Sequence, residues 1–151
     1  MNPYLAPKGT GEKLIFPGAI ELEIIVPGAS TNGTLAVFED IVEPGIGPGR
    51  HIHKEQDETF FIMEGQFDIE IGGTLHHVKP GDVAFVPRGT IHAFKNVGQT
   101  QGRLRYAFTP ASDIEAMFRA FYDAAGDAPP SQEMFERIAL AHGQKFVGPP
   151  L

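Results

Sequence analysis

The chain contains no cysteine. That excludes a disulfide framework, a zinc ribbon and an iron–sulfur cluster, all of which need thiolates. Any metal must be held by imidazole and carboxylate, a donor set that suits Fe, Mn, Ni, Co, Cu or Zn. Basic residues are in deficit, 12 Lys and Arg against 19 Asp and Glu, for a net charge of −7 with no basic run. That balance argues against a phosphate-binding surface, so no nucleic-acid partner is expected. No segment approaches the apolar length of a membrane span, so no membrane partner is expected either. Met1 to Thr10 carry Pro3, Pro7 and Gly9 and no apolar stretch. No signal peptide is read there, and a soluble cytoplasmic protein is the expectation.

At 151 residues the chain is expected to form one domain, 1–151, large enough to bury a core without staples. Its 18 Gly and 13 Pro are spread through the sequence and punctuate short runs of β-formers, as in a sandwich or barrel. Ten strands are predicted: Glu12–Phe16, Ile20–Val26, Gly33–Val42, Arg50–His53, Thr59–Glu64, Gln66–Ile71, Thr74–Val78, Asp82–Val86, Ile91–Asn96 and Gly102–Thr109. Phe67, Ile69 and Ile71 alternate with polar residues and should face inward, as should Leu104, Tyr106 and Phe108. Gly72-Gly73 reads as a two-residue hairpin turn with both φ angles positive. After Pro110 the period changes to that of a helix. Ser112-x-x-Glu115 reads as a capping box opening a helix with Ile114, Met117, Phe118 and Phe121 on its apolar stripe. A second helix is expected from Ser131 to Gly143, followed by an extended tail over 146–151. The fold class is thus all-β, a barrel over about 12–109 with a helical tail over about 111–151.

Two blocks of residues carry the chemistry. The first reads Gly-x5-His-x-His-x4-Glu-x6-Gly, from Gly45 through His51, His53 and Glu58 to Gly65. The second reads Gly-x5-Pro-x-Gly-x2-His-x3-Asn, from Gly81 through Pro87, Gly89 and His92 to Asn96. His51 and His53 sit at i and i+2, so on a strand both point to one face. Together with Glu58 and His92 they are the right types and number to hold one divalent transition metal, leaving one or two positions open for chemistry. Gly65 and Gly81 fall at predicted turns, Pro87 and Gly89 redirect the chain before His92, and Asn96 is expected to tie a turn. His76, His77 and His142 lie outside the pattern and read as structural or solvent-facing, and Arg50 as a surface residue.

These blocks match, at every fixed position, the two motifs of the cupin family, and the strand pattern extends the resemblance over roughly 12–109. The fifteen residues Gln66–Pro80 between them resemble the short spacing of compact microbial cupins. The resemblance implies a jelly-roll β-barrel, metal ligation by His51, His53, Glu58 and His92, and a homodimer paired through β-sheets. Within it, the chain is similar to small quercetin-dioxygenase-like cupins. In quercetinases the metal binds the substrate's deprotonated oxygen, the motif glutamate accepts the proton, and dioxygen cleaves the ring. Glu58 would then be both ligand and catalytic base. Well-known quercetinases often carry two such domains, whereas one is expected here.

Strand parity extends the site. Phe60 and Ile62 share a face with Glu58, and Phe94 with His92; Tyr106 and Phe108 join them as candidate substrate-binding residues, unless they only fill the barrel. Such a wall favours a flat hydrophobic ligand. The expected function is a metal-dependent dioxygenase acting with dioxygen on a small hydroxylated aromatic, flavonol- or catechol-like. The alternatives are another metal-dependent enzyme (isomerase, decarboxylase or lyase) and a non-enzymatic ligand-binding barrel.

Overall fold

The computed structural model describes residues Met1–Leu151. Eleven strands form two sheets. They are β1 (Glu12–Phe16), β2 (Ile20–Val26), β3 (Ala36–Val42), β4 (His51–His53), β5 (Asp57–Glu64), β6 (Phe67–Ile71), β7 (Thr74–Val78), β8 (Val83–Val86), β9 (His92–Asn96), β10 (Gly102–Thr109) and β11 (Gln144–Phe146). One sheet has the order β1-β2-β3-β10-β5-β8 and the other β11-β4-β9-β6-β7. Strands β3 to β10 therefore divide four and four, every pairing antiparallel, into a jelly roll. The hairpin β1–β2 widens one sheet and β11 the other. Two helices, α1 (Ile114–Ala125) and α2 (Gln132–Ala141), follow the barrel.

The inward-facing positions are the expected ones. Phe67, Ile69, Leu104, Tyr106 and Phe108 are buried to 3% exposure or less. Burying each such side chain contributes roughly 1.5–3 kcal/mol. Gly72 and Gly73 close the β6–β7 hairpin with φ of 58° and 85°, which an L side chain adopts at a cost. Asn96 ties its turn as expected, its amide donating to the carbonyls of Val42 and Thr100 at 2.9 Å each while its own oxygen accepts from Gly98 N.

Two expectations are corrected. The capping box does not form. Ser112 sits at φ 43°, Asp113 occupies the N-cap position, and the Glu115 carboxylate instead accepts the backbone N–H of Gly28 and pairs with Arg119. A tertiary partner has captured the side chain that local spacing assigned to the helix start. The extended chain begins two residues earlier than the expected 146, at Gln144, as a short sheet strand. Gln144, Lys145 and Phe146 pair with His53, Ile52 and His51. Beyond it Arg50 binds Glu70 through two nitrogens at 2.8 and 3.0 Å and donates to the Pro149 carbonyl at 2.9 Å, fastening the chain end to the barrel.

The helices cover the barrel mouth. Phe118 of α1 packs on Phe38 with ring centroids 5.2 Å apart, and Phe121 packs at a tilt against Phe135 of α2 at 5.0 Å. No helix is long and apolar enough to cross a membrane.

Candidate metal centre and adjoining cavity

The four candidate ligands come from both sheets. His51 and His53 lie on β4 with the spacing that turns both rings inward, and His51 stands opposite His92, the first residue of β9. The turn at Pro87–Gly89, with Gly89 at φ 77°, brings the chain back to that position. Glu58 arrives from β5 in the facing sheet, paired with Phe108 and Val86. All four are buried, at 6%, 3%, 4% and 1% exposure for His51, His53, Glu58 and His92. Their ligating atoms lie within 4.8 Å of one another.

The hydrogen bonds fix which nitrogens are available. His51 Nδ1 donates to Gly49 O at 2.8 Å and His92 Nδ1 to Thr90 O at 2.9 Å, so each ring turns its Nε2 to the common centre. Such bonds to the remote nitrogen hold metal-binding histidines in one tautomer. His53 is buried with neither ring nitrogen hydrogen-bonded, although its Nε2 lies 3.2 Å from Glu58 Oε2. An orphaned imidazole inside a barrel is costly unless something else satisfies it. A cation at the centre would satisfy it, so the donor set fits a divalent metal.

The electrostatics agree. Burial, reinforced by the neighbouring His92 and His53, pushes the His51 pKa well below its usual value, leaving the neutral, ligating form. Burial alone would raise the Glu58 pKa, but the His53 and His92 imidazoles that face the carboxylate outweigh it and hold the carboxyl down at about 2. For His92 burial opposes the charge, yet the Glu58 carboxylate 2.9 Å away raises its pKa on balance.

His51, His53 and Glu58 open onto a cavity of about 340 Å³, at the lower end of the roughly 300–1,000 Å³ typical of small-molecule sites. Of the expected substrate-binding residues, Phe94, Tyr106 and Phe108 stand on its wall. Phe60 and Ile62 are buried but stand off it. Phe60 is packed behind the wall, its ring 6.2 Å from His92 and 6.0 Å from Tyr106, and Ile62 lies farther along β5, opposite Leu104. Parity places a side chain inside the barrel but does not say which level opens to the cavity.

Several wall residues escaped sequence reasoning. Phe118, Phe121 and Phe135 come from the helices and Phe146 from β11. Asp40 is the most consequential: it is 3% exposed on β3, on the cavity wall, and bonded to Tyr106. A signal for it existed. Glu39 and Asp40 are adjacent on a strand, so one of the two carboxylates must face inward. Glu39 is the outward one, paired with Arg103 and Arg105.

A jelly roll whose lumen gathers three imidazoles and a carboxylate from both sheets defines a class, β-barrels built to enclose a divalent metal. The comparisons with known proteins name it. Residues 38–108 match the cupin domain model, and the chain belongs to the cupin superfamily. It is 28% identical over 148 residues to quercetin 2,3-dioxygenase of Bacillus subtilis (strain 168), covering 92% of this chain and 42% of that protein. The chain thus spans less than half the length of that relative. Among solved structures, KdgF from Halomonas sp. superposes with a TM-score of 0.66 at 18% identity, covering 74% of this chain and 99% of that one. A predicted oxalate decarboxylase from Thermotoga maritima superposes with the same score and identity over 71% and 99%. These likenesses support the fold.

Proposed function

We propose that this cupin is a cytoplasmic metal-dependent dioxygenase acting on an uncharged hydroxylated aromatic, flavonol- or catechol-like. The observation that carries this reading is the make-up of the cavity wall, which has aromatic rings on several sides and no Lys or Arg. A small carboxylate or phosphate substrate wants a fixed cationic partner when it leaves water, so the wall weighs against decarboxylation or isomerisation of anionic acids. The similarity to the Bacillus subtilis quercetin 2,3-dioxygenase supports the same choice.

His51, His53, Glu58 and His92 would hold the metal, which when bound supplies Lewis acidity that lowers the pKa of a substrate hydroxyl and a centre for reaction with dioxygen. Glu58, which opens onto the cavity and stays ionised between the imidazoles, would accept the hydroxyl proton. Phe94, Phe108 and the helix-borne Phe118 hold the ring system and exclude water.

The test is an oxygen-electrode screen of metal-reconstituted protein with quercetin and catechol, read beside substrate loss. Oxygen uptake matched to substrate loss is expected. Turnover without oxygen would replace this reading with a non-oxidative enzyme, and ligand binding without any turnover with a binding protein.

A further inference from the structure

Asp40 is a buried acid that the metal centre does not use. Tyr106 Oη donates to its Oδ1 at 2.9 Å, and Oδ2 has no protein partner on the cavity wall. Asp40 lies level with Leu104 and Ile62, whereas Glu58 lies level with Phe108. The two levels are four residues apart along β10, about 13 Å of strand. The cavity thus has a polar group at each of two levels, with Tyr106 between them.

We propose that Asp40, braced by Tyr106, is a second substrate-contacting group, and that it hydrogen-bonds an oxygen of a multi-ring polyhydroxylated aromatic whose other end reaches the histidines. The inference rests on reading the cavity as a substrate site, and it narrows the substrate from hydroxylated aromatics in general to those longer than one ring. Burial, against the Tyr106 hydrogen bond and with Glu58 and Glu39 nearby, pushes the Asp40 pKa up to about 8, so at neutral pH the side chain carries a proton. With Oδ1 occupied, that proton is free on Oδ2 to be donated to a carbonyl, ether or hydroxyl oxygen. A neutral acid discriminates as the rest of the wall does. It accepts an uncharged polar oxygen and offers nothing to balance an anion.

The test uses metal-loaded protein and two probes, quercetin and catechol, in equilibrium binding titrations. Asp40→Asn keeps a donor of the same shape and is expected to retain quercetin affinity. Asp40→Leu, with Asp40→Ala in reserve should the leucine variant not fold, is expected to weaken quercetin at least tenfold and leave catechol affinity and metal content unchanged. A purely structural role would shift both probes together, and that result, or unchanged quercetin affinity, overturns the proposal. Failure of the wild type to bind quercetin also overturns it. Oxygen uptake is read separately. Split affinities without uptake would sink the dioxygenase reading and leave Asp40 standing; uptake without the split would do the reverse.

Discussion

Glu58 Oε2 and His92 Nε2 face each other at 2.9 Å inside the barrel, one from each sheet. Burial works against a charge on His92, but the Glu58 carboxylate outweighs it, so without a metal His92 is more basic than an ordinary histidine and holds its proton against Glu58. A metal must displace that proton before both can ligate. Metal affinity is therefore expected to fall as pH drops, by about tenfold per pH unit once His92 holds its proton. The fall begins at higher pH than an unperturbed histidine would give. Competition titrations of zinc at pH 8 and pH 5.5 measure this, with proton release on metal binding in weakly buffered solution as a second readout. Affinity independent of pH would contradict the assignment.

Replacing ligands separates metal binding from folding. His92→Ala should lose metal and activity together, as should His53→Ala. The two differ in the metal-free state. His53 makes no hydrogen bond through its ring, whereas His92 bonds both Glu58 and the Thr90 carbonyl. Removing His92 leaves a buried carboxylate with less compensation, which is strongly destabilising. The metal-free His92→Ala protein should therefore melt lower than the metal-free His53→Ala protein. Elemental analysis and thermal unfolding check both points, and unchanged metal content in either variant would remove that residue from the ligand set.

The inward faces of the barrel were legible from short-range rules, and the gathering of His51, His53, Glu58 and His92 was legible from two motifs whose resemblance implied it. Alternation set the inward faces of β6 and β10, and the i, i+2 spacing of His51 and His53 fixed their common direction. What escaped depends on partners far away in sequence. Gln144–Phe146 carries too few residues for an alternation signal and is a strand because β4 offers it an edge. Glu115 left its predicted cap for Gly28, 87 residues away. Phe118 and Phe135 looked like ordinary helix-stripe residues, and only the docking of the helices on the barrel mouth made them cavity wall.

Gly47 lies between the first motif glycine and the first histidine, on the cavity wall. A Cβ there would stand 1.8 Å from the Phe94 carbonyl oxygen, so Gly47→Ala must push the loop off β9. Overpacking of this kind costs about 1–3 kcal/mol. The displaced loop leads directly to His51, so metal occupancy should fall along with Tm, whereas alanine at Gly73, which meets no neighbour in the hairpin turn, should lower Tm without altering metal content.

Asp40 makes stability depend on pH in the direction opposite to a salt-bridged acid. Its folded pKa, raised by burial to about 8, lies above the ordinary 3.8. Between those values the folded chain holds a proton that the unfolded chain releases, so stability falls as pH rises through the window and levels off above about 8. Asp40→Asn removes the titration and keeps the shape. Thermal unfolding of metal-free protein should show the variant and wild type alike near pH 4 and the variant more stable near pH 9. A difference that does not grow with pH would place the charge of Asp40 elsewhere.

The homodimer implied by the family resemblance has a specific location to test. Strand β8 ends its sheet with one edge unpaired, and beside it Phe61, Met63, Val83 and Phe85 are 39%, 39%, 59% and 58% exposed. Phe61 and Val83 sit opposite each other across β5 and β8, and Phe85 is next along the same outer face, so the four form one apolar patch. An unpaired edge beside exposed apolar side chains is a surface that proteins cover or charge, and a second copy of this chain presents the same surface to it. Light scattering at micromolar concentration should give a dimer for the wild type and a monomer for Phe85→Lys, because a charge at that position loses its water on pairing. The metal centre draws no ligand from this face, so the monomeric variant should keep its metal content. A wild-type monomer would refute the expectation outright.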